Sequence, residues 1–225
     1  MLRRAWYIAA KDLRLSMGGG QGLVQAVLLG LLLIFLFSLS RPTTELVSPQ
    51  ACAAIFWLAS SFGLVLVFND LFSIEEAQGC RLGLLSSPAP EHSVWLGKGV
   101  AGVALLVVSQ AVFLPAAVVF LGQDVKGDWG VLLLTLIGVD WGLAALGALL
   151  GALAQGQGAR ESLFSVILFP LLLPVLLGGI RIFAGCLAGE PAIDQQLWSG
   201  VIVAFDAVFT AAGAFLFPFL YTGEE

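Results

Sequence analysis

Six long apolar runs divide the chain and predict six membrane-spanning helices. A helix crosses a bilayer with about 20 mostly apolar residues. These runs do not alternate apolar and polar residues as the strands of an outer-membrane barrel do, and only a helix satisfies its own backbone hydrogen bonds in lipid. We therefore predict an all-α membrane protein, a single domain over residues 1–225, with spans at Leu23–Leu39, Ala51–Asn69, Gly99–Gly122, Val131–Ala154, Leu163–Ile180 and Gly200–Leu220.

The composition agrees with this pattern. Hydrophobic residues make up 59% of the 225 residues and charged residues 11%. A soluble domain has about 45–50% apolar and about 25% charged residues. Because an apolar excess of this size has no interior in which to be buried, we expect the lipid bilayer to surround the chain. We expect no nucleic acid among its partners.

The segment before the first span, residues 1–17, has the pattern of an amphipathic helix. A basic helix at this place is typical of one that lies in the cytoplasmic membrane interface, where apolar burial and anionic lipids both favour it. It is interpreted either as a topology signal alone or also as a brace for a cytoplasmic partner. One apolar stripe contains Ala5, Trp6, Ala9, Leu13 and Met17, and a basic stripe contains Arg4, Lys11 and Arg14.

Lysine and arginine are distributed unevenly between the two sides of the predicted spans, which indicates the orientation. With the N-terminus inside, the cytoplasmic side holds Arg3, Arg4, Lys11, Arg14, Arg81, Lys98 and Arg160, and the outer side holds Arg41, Lys126 and Arg181. Six spans then place the C-terminus inside as well. Trp129 and Trp198 fall at the outer ends of spans four and six, as aromatic anchors.

Residue types that carry catalysis, metal binding or nucleotide binding are few and scattered. The Gly-Lys pair at 97–98 lacks the upstream glycine and the following Ser or Thr of a phosphate-binding loop, so we expect no nucleotide site and no enzyme activity in this chain. Cys52 lies in a span, Cys80 in a cytoplasmic loop and Cys186 outside, so they are expected to stay unpaired. His92, the only histidine, is interpreted as a solvated loop residue. The sequence predicts neither a catalytic nor a metal site.

Two carboxylates and two prolines stand out inside the spans. Asp140 lies in span four and Asp206 in span six, where charge is costly, so each is either hydrogen-bonded in a helix interface, part of a proton or substrate path, or in contact with a partner subunit. Pro170 and Pro174 predict a kinked or split span five that lines a path, forms a hinge or is a tolerated packing kink. Small residues that permit close packing share the faces of the carboxylates: Ala144, Gly147 and Gly151 with Asp140, and Ser199, Val203, Thr210 and Gly213 with Asp206.

The longest charged segment, Asp70–Lys98, joins the second and third spans. A long charged amphipathic loop in such an apolar chain is the best candidate for the place where another protein docks. Glu75 and Glu76 supply charge that would meet basic residues on that partner. A short interfacial helix is predicted from the stripe Ile74, Ala77/Gln78, Leu82 and Leu85, which is mostly apolar.

Several short motifs follow one another in a specific order over almost the full length. The first helix holds Lys11-Asp12-Leu13-Arg14. The segment after span two holds Asn69-Asp70-Leu71-Phe72, Glu75-Glu76, Gly79, Leu84-Leu85-Ser86-Ser87-Pro88 and Leu96-Gly97-Lys98, and span five holds a double-proline run at residues 169–177. With this order the chain resembles the permease subunits of ABC-2-type exporters, and more closely their CcmB branch, the haem-exporter permeases of bacterial cytochrome c maturation.

The resemblance implies a six-span permease of the bacterial inner membrane whose coupling helix lies between spans two and three. It implies a CcmA-type ATPase subunit that holds the ATP, CcmC- and CcmD-type membrane subunits and a periplasmic haem chaperone. Haem is then a substrate of the complex, and we expect no cofactor on this chain. Coupling to the ATPase is assigned to Asp70, Phe72, Glu75, Glu76, Gly79, Leu84, Leu85 and Pro88. Residues 79–82 depart from the family pattern, which has a hydroxyl residue and a glutamate there.

Three other functions remain open from the residues. One is an ABC-2 permease for another lipophilic substrate. Another is an ion-coupled secondary transporter that uses Asp140 and Asp206, although the inverted repeats common in such carriers are not evident. The third is a membrane scaffold without transport activity. Dependence of a co-purified ATPase on this chain would separate the permease from the last two.

Overall fold

The computed structural model describes residues 2–19, 21–40, 47–77, 91–154, 160–191 and 193–222, and the regular structure of these residues is helical throughout. Six of the helices are long and apolar enough to cross a membrane, and the first is not among them. The predicted all-α fold with six spans after an N-terminal helix is therefore confirmed. The helices are α1 (Leu2–Gly18), α2 (Gly22–Leu39), α3 (Pro49–Ala77), α4 (Glu91–Leu121), α5 (Trp129–Ala154), α6 (Arg160–Ala188) and α7 (Gln195–Thr222).

The segment between spans two and three is helical at both of its ends. α3 continues to Ala77 and α4 begins at Glu91, so the predicted loop Asp70–Lys98 is shorter than expected, and residues 78–90 of it lie outside the described residues. Hydropathy marks where an apolar stretch ends. A helix continues past that point as long as its polar side chains find partners.

The same extension corrects the expected position of two other residues. His92 lies in the first turn of α4, half-buried, and not in a solvated loop. Cys186 lies in α6, which continues beyond the predicted end of span five, and its side chain is buried instead of lying in an outer loop. Cys52 is buried in α3 as expected for a residue in a span.

α3 and α5 form the centre of the bundle, while α2 and α7 lie at its edge. α3 packs against α2, α4, α5 and α6. Phe56 of α3 stacks on Phe183 of α6 with 4.7 Å between ring centroids, and Trp57 meets the same ring edge-on at 6.2 Å. Apolar side chains of α2 and α7 point away from the bundle, as expected for helices that face lipid: Val24, Leu28, Leu32, Val203, Phe215 and Phe219.

The small residues on the Asp140 face of α5 allow α3 to approach closely, as predicted. A Cβ placed on Gly147 would lie 2.8 Å from the ring of Phe68, and one placed on Gly151 would overlap the ring of Phe72. Both aromatic rings are buried. The absence of a side chain at these two positions therefore gives the aromatic residues of α3 their space.

α6 is continuous through its two prolines. Pro170 and Pro174 both lie on the exposed, outward face of α6, so they do not line the interior of this bundle. The expected split of span five is not found in the described part of the chain. Proline is tolerated inside a transmembrane helix where neighbouring groups satisfy the backbone carbonyls that it leaves unpaired.

Candidate functional site

Four charged side chains meet where α1 packs against the end of α3 and the beginning of α4. Lys11 Nζ of α1 lies 2.7 Å from Asp12 Oδ1 and 2.8 Å from Glu75 Oε1 of α3. Lys98 Nζ of α4 lies 3.0 Å from Glu75 Oε2 and 3.6 Å from Asp12 Oδ2. Two cations and two carboxylates thus balance one another in one cluster, which we call the charge cluster.

Lys98 is the most deeply buried member of the charge cluster, with no solvent-exposed surface on its side chain. Its ammonium group also donates to the backbone carbonyl of Leu71 at 3.1 Å and lies 4.3 Å from the ring centroid of Phe72. Burying a charged group costs several kcal/mol unless the group is paired and hydrogen-bonded. The surroundings of Lys98 meet both conditions.

Lys11 closes the charge cluster at its solvent side, where its side chain is 33% exposed. Burial by itself lowers the pKa of Lys11, but the carboxylates of Asp12 and Glu75 outweigh this effect and raise its pKa above the ordinary value of 10.5. Lys11 is therefore a cation at neutral pH. Because Lys11 is partly exposed, solvent weakens its interactions with Asp12 and Glu75. The buried contacts of Lys98 are therefore the stronger part of the charge cluster.

α1 is held on α3 and α4 by two further contacts beside the charge cluster. Ser16 Oγ donates to Asp70 Oδ2 at 3.3 Å, which joins the last turns of α1 to α3. Gly97 allows the first half of α1 to lie directly on α4, since a Cβ at this position would lie 2.8 Å from the carbonyl oxygen of Ala5 and from Cβ of Ile8. The sequence motifs of three separate segments are thus in contact.

The structure brings together only part of the residues assigned to ATPase coupling. Asp70, Phe72 and Glu75 lie within or beside the charge cluster. Glu75, expected to meet basic residues of a partner, is instead directed inward to Lys11 and Lys98. The backbone of Glu76 belongs to α3, whereas Gly79, Leu84, Leu85 and Pro88 lie outside the described residues.

Sequence reasoning did not assign Lys98 or Asp12 to the site. The sequence places Lys98 among the cytoplasmic cations and in the motif Leu96-Gly97-Lys98 at the end of the predicted coupling loop. It places Asp12 in the motif Lys11-Asp12-Leu13-Arg14, and it indicates no contact between the two. One signal was present, since Asp12 is the only carboxylate in a helix of basic and apolar residues. Pairing it with a lysine of α4 required knowledge of which helices pack together.

A second group of polar side chains lies in the interior of the bundle. Gln110 of α4 donates from Nε2 to Asp140 Oδ1 of α5 at 2.7 Å and to Ser60 Oγ of α3 at 3.2 Å. Ser60 in turn donates to the carbonyl of Phe56. All three polar side chains are buried. Asp140 is thus hydrogen-bonded at a helix interface, one of the alternatives that the sequence left open, and Gln110 is the partner that the sequence did not single out.

Asp206 of α7 faces α5 and is not part of the Gln110 group. Its Oδ1 faces α5, where a Cβ placed on Gly142 would lie 2.5 Å from it, and this oxygen accepts no hydrogen bond from the residues that the structure describes. One turn further along α7, Trp141 Nε1 donates to Thr210 Oγ1 at 3.0 Å. Ser199 and Val203, predicted on the packed face, are exposed instead. The packed face of α7 instead contains Ile202 and Phe205, both of which are buried.

No group of His, Cys, Asp and Glu within the described ranges has the arrangement needed to hold a metal ion. The cavity nearest to a thiol lies between the ends of α5, α6 and α7 and has a volume of about 170 Å³. Cys186, Asp128 and Glu190 are among its lining residues. This volume is below the roughly 300–1,000 Å³ of ordinary small-molecule pockets.

Comparison with known proteins identifies the family of this chain. The family model described as CcmB protein matches residues 3–220. A protein named heme exporter protein B from Haemophilus influenzae is 28% identical over 171 residues, which is 76% of this chain and 76% of that protein. Since the family match extends over nearly the whole length, the chain belongs to the CcmB family.

Proposed function

We propose that this chain is the membrane permease subunit of an ABC-type complex that exports haem for c-type cytochrome assembly in the bacterial inner membrane. Membership of the CcmB family and the name of the Haemophilus relative support haem as the substrate. The structural observation that carries the coupling part is the pair Glu75–Lys98. This ion pair joins the end of α3 to the beginning of α4, the two helix ends on either side of residues 78–90.

The position of these two helix ends, on either side of residues 78–90, supports coupling to a separate ATPase. A helix pair that transmits motion must stay rigid where the ATPase contacts it. A buried ion pair between two helices resists movement of one helix alone, because separating the two charges leaves each of them buried and unpaired. The charge cluster also includes α1, so α1, α3 and α4 move as one unit. We propose that a CcmA-type ATPase pushes on residues 78–90 and that the charge cluster carries the displacement into the spans.

In this proposal the chain transmits work and holds no haem as a resident cofactor. Haem is received by CcmC- and CcmD-type membrane subunits and passed to a periplasmic haem chaperone. The single histidine lies at the beginning of α4, close to the charge cluster and therefore at the ATPase side. The uneven distribution of Lys and Arg supports a cytoplasmic position of both chain termini.

Two variants separate docking of the ATPase from transmission of its work. Glu76→Lys reverses one charge at the end of α3, and Asp124→Lys reverses one in the segment between α4 and α5 as a matched control. The tagged chain is purified from membranes at low and at high salt, and the co-purified ATPase is quantified. We expect Glu76→Lys to retain less ATPase, more clearly at low salt, and Asp124→Lys to retain the normal amount.

Transmission is tested with the paired neutralisation of Glu75→Gln and Lys98→Met, which leaves the Lys11–Asp12 pair intact. We expect the ATPase to remain bound and to hydrolyse ATP while c-type cytochrome assembly fails. Normal cytochrome assembly in this variant would refute the coupling role of the charge cluster. Normal ATPase co-purification with Glu76→Lys, together with normal cytochrome levels when the ATPase is deleted, would refute the permease function itself.

A further inference from the structure

The interior polar group of Gln110, Asp140 and Ser60 leaves two oxygen atoms without a partner. Gln110 engages both hydrogens of its Nε2, one with Asp140 Oδ1 and one with Ser60 Oγ. Ser60 donates its own proton to the carbonyl of Phe56, so it only accepts from Gln110 and fixes the orientation of the amide. Gln110 Oε1 and Asp140 Oδ2 are buried, and neither has a hydrogen-bond partner among the described residues.

These two oxygens belong to side chains that already share a hydrogen bond. A buried polar atom without a partner destabilises a fold, and an ionised carboxylate inside a membrane does so more strongly, because nothing there solvates its charge. An ionised Asp140 would have one neutral amide as its donor. A single proton on Asp140 removes the charge and also supplies the missing donor, since a carboxylic acid has an O–H group.

Among the described side chains, no cation pairs with Asp140. α5 packs against α3, α4, α6 and α7. Lys98 of α4 is engaged in the charge cluster, and Arg181 of α6 is exposed at the outer end of that helix. Asp206 of α7 and Cys52 of α3 carry no positive charge. The other titratable side chains described on these four helices lie toward the helix ends: Asp70, Glu75, Glu91, His92, Cys186 and Tyr221.

We propose that Asp140 is a carboxylic acid in this structure and that its Oδ2 donates a proton to Gln110 Oε1. Together with the bond from Gln110 Nε2 to Asp140 Oδ1, this proton completes a cyclic pair of an acid and an amide, which we call the acid–amide pair. A carboxyl group that an apolar environment keeps neutral is able to donate such a bond. The interior of the bundle therefore contains a binding site for one proton, between α4 and α5.

The acid–amide pair connects α5 to the helices of the charge cluster. Gln110 of α4 binds Asp140 of α5, and Ser60 extends the contact to α3, while the charge cluster joins α3 and α4 without α5. Loss of the proton would leave an unpaired charge and two acceptor oxygens without a donor. The contact of α4 with α5 is therefore expected to weaken as the pH rises.

The test is infrared spectroscopy of the full-length chain in detergent at neutral pH, where a protonated carboxyl group has a C=O band distinct from that of a carboxylate. The wild-type chain is expected to show this band, and Asp140→Asn is expected to lose one component of it. The matched control is Asp124→Asn, which removes an exposed carboxylate between α4 and α5 and is expected to lose no component. Gln110→Met is expected to move the Asp140 component to higher frequency, because the carboxyl oxygen loses the bond from the amide.

Thermal unfolding as a function of pH provides a second measurement. Asp140→Asn offers Gln110 one acceptor and one donor, as the acid does, and is expected to fold. The folded wild-type chain holds a proton that Asp140 releases on unfolding, so its unfolding constant relative to that of Asp140→Asn is expected to rise about tenfold per pH unit around neutral pH. Equal pH dependence of the two chains, an unchanged carboxyl band in Asp140→Asn, or failure of this variant to fold would each overturn the proposal. A component that Gln110→Met leaves unmoved would overturn the pairing with Gln110.

Discussion

Lys98 Nζ of α4 lies 3.0 Å from Glu75 Oε2 of α3, and neither side chain is more than 1% exposed. The two residues bracket residues 78–90, which lie inside the segment Asp70–Lys98 that the family resemblance assigns to ATPase coupling. A buried charge pair is replaced by apolar residues at little energetic cost in many proteins, but breaking one half of it is strongly destabilising. The contribution of the pair to stability can therefore be measured by comparing the loss of one charge with the loss of both.

Removal of one charge is expected to destabilise the chain more than removal of both. Lys98→Met leaves two carboxylates beside a single, partly exposed Lys11 and is expected to lower the free energy of unfolding by about 3–5 kcal/mol. Adding Glu75→Gln restores the balance of one cation and one carboxylate and is expected to recover part of that loss. Thermal unfolding in detergent measures both, with the conservative change Glu91→Gln in the first turn of α4 as a control. Equal or greater loss in the double variant would contradict a balanced cluster.

The contact of Gly151 with the Phe72 ring predicts a steric effect on the same site. Gly151→Ala is expected to destabilise the chain by about 1–3 kcal/mol, because the new methyl group overlaps a ring that also contacts Lys98. Gly200→Ala is the matched control, since a Cβ at that position meets no atom within 4 Å. It is expected to be neutral or to stabilise α7 by up to about 1 kcal/mol. Equal effects of the two changes would show that the packing of α3 on α5 is looser than described.

Hydrogen bonding of Gln110 to Asp140 predicts which replacements of Asp140 are tolerated. Asp140→Asn keeps an oxygen acceptor for Gln110 and is expected to preserve cytochrome c assembly. Asp140→Leu leaves the buried amide without this acceptor and is expected to cost about 1–3 kcal/mol of stability. Protein yield and cytochrome levels are measured for both variants. Complete loss of cytochromes with normal protein levels in Asp140→Asn would favour the ion-coupled transporter, in which ionisation of Asp140 is required.

The proposal that this chain supplies no haem ligand predicts that two other variants are silent. His92→Ala and Cys186→Ser are both expected to leave c-type cytochrome assembly near normal. Cys186 is buried beside a cavity of only about 170 Å³, and His92 lies at the beginning of α4, where the charge cluster is found. Haem absorbance of the purified chain is recorded with each variant. A haem spectrum that shifts on Cys186→Ser would make this subunit a haem-binding one.

The sequence by itself determined the membrane class, the six membrane-spanning helices and the family. Each of these depends on properties that are local or ordered along the chain: apolar runs of span length and the succession of motifs from Lys11 to residue 177. The face of α5 that packs closely was also predictable, because small residues at helical spacing mark it without reference to any other helix.

Tertiary structure alone decided which charged residues form a site. Asp12, Glu75 and Lys98 lie in three segments, and no local pattern indicates that their charges pair. The packing of α1, α3 and α4 brings them together. The same holds for Gln110 and Asp140, and packing also leaves Trp6 of α1 exposed while Ala5 and Ala9 are buried. The physical reason is that the environment of a polar group, and with it the choice between solvation and pairing, is set by residues distant in sequence.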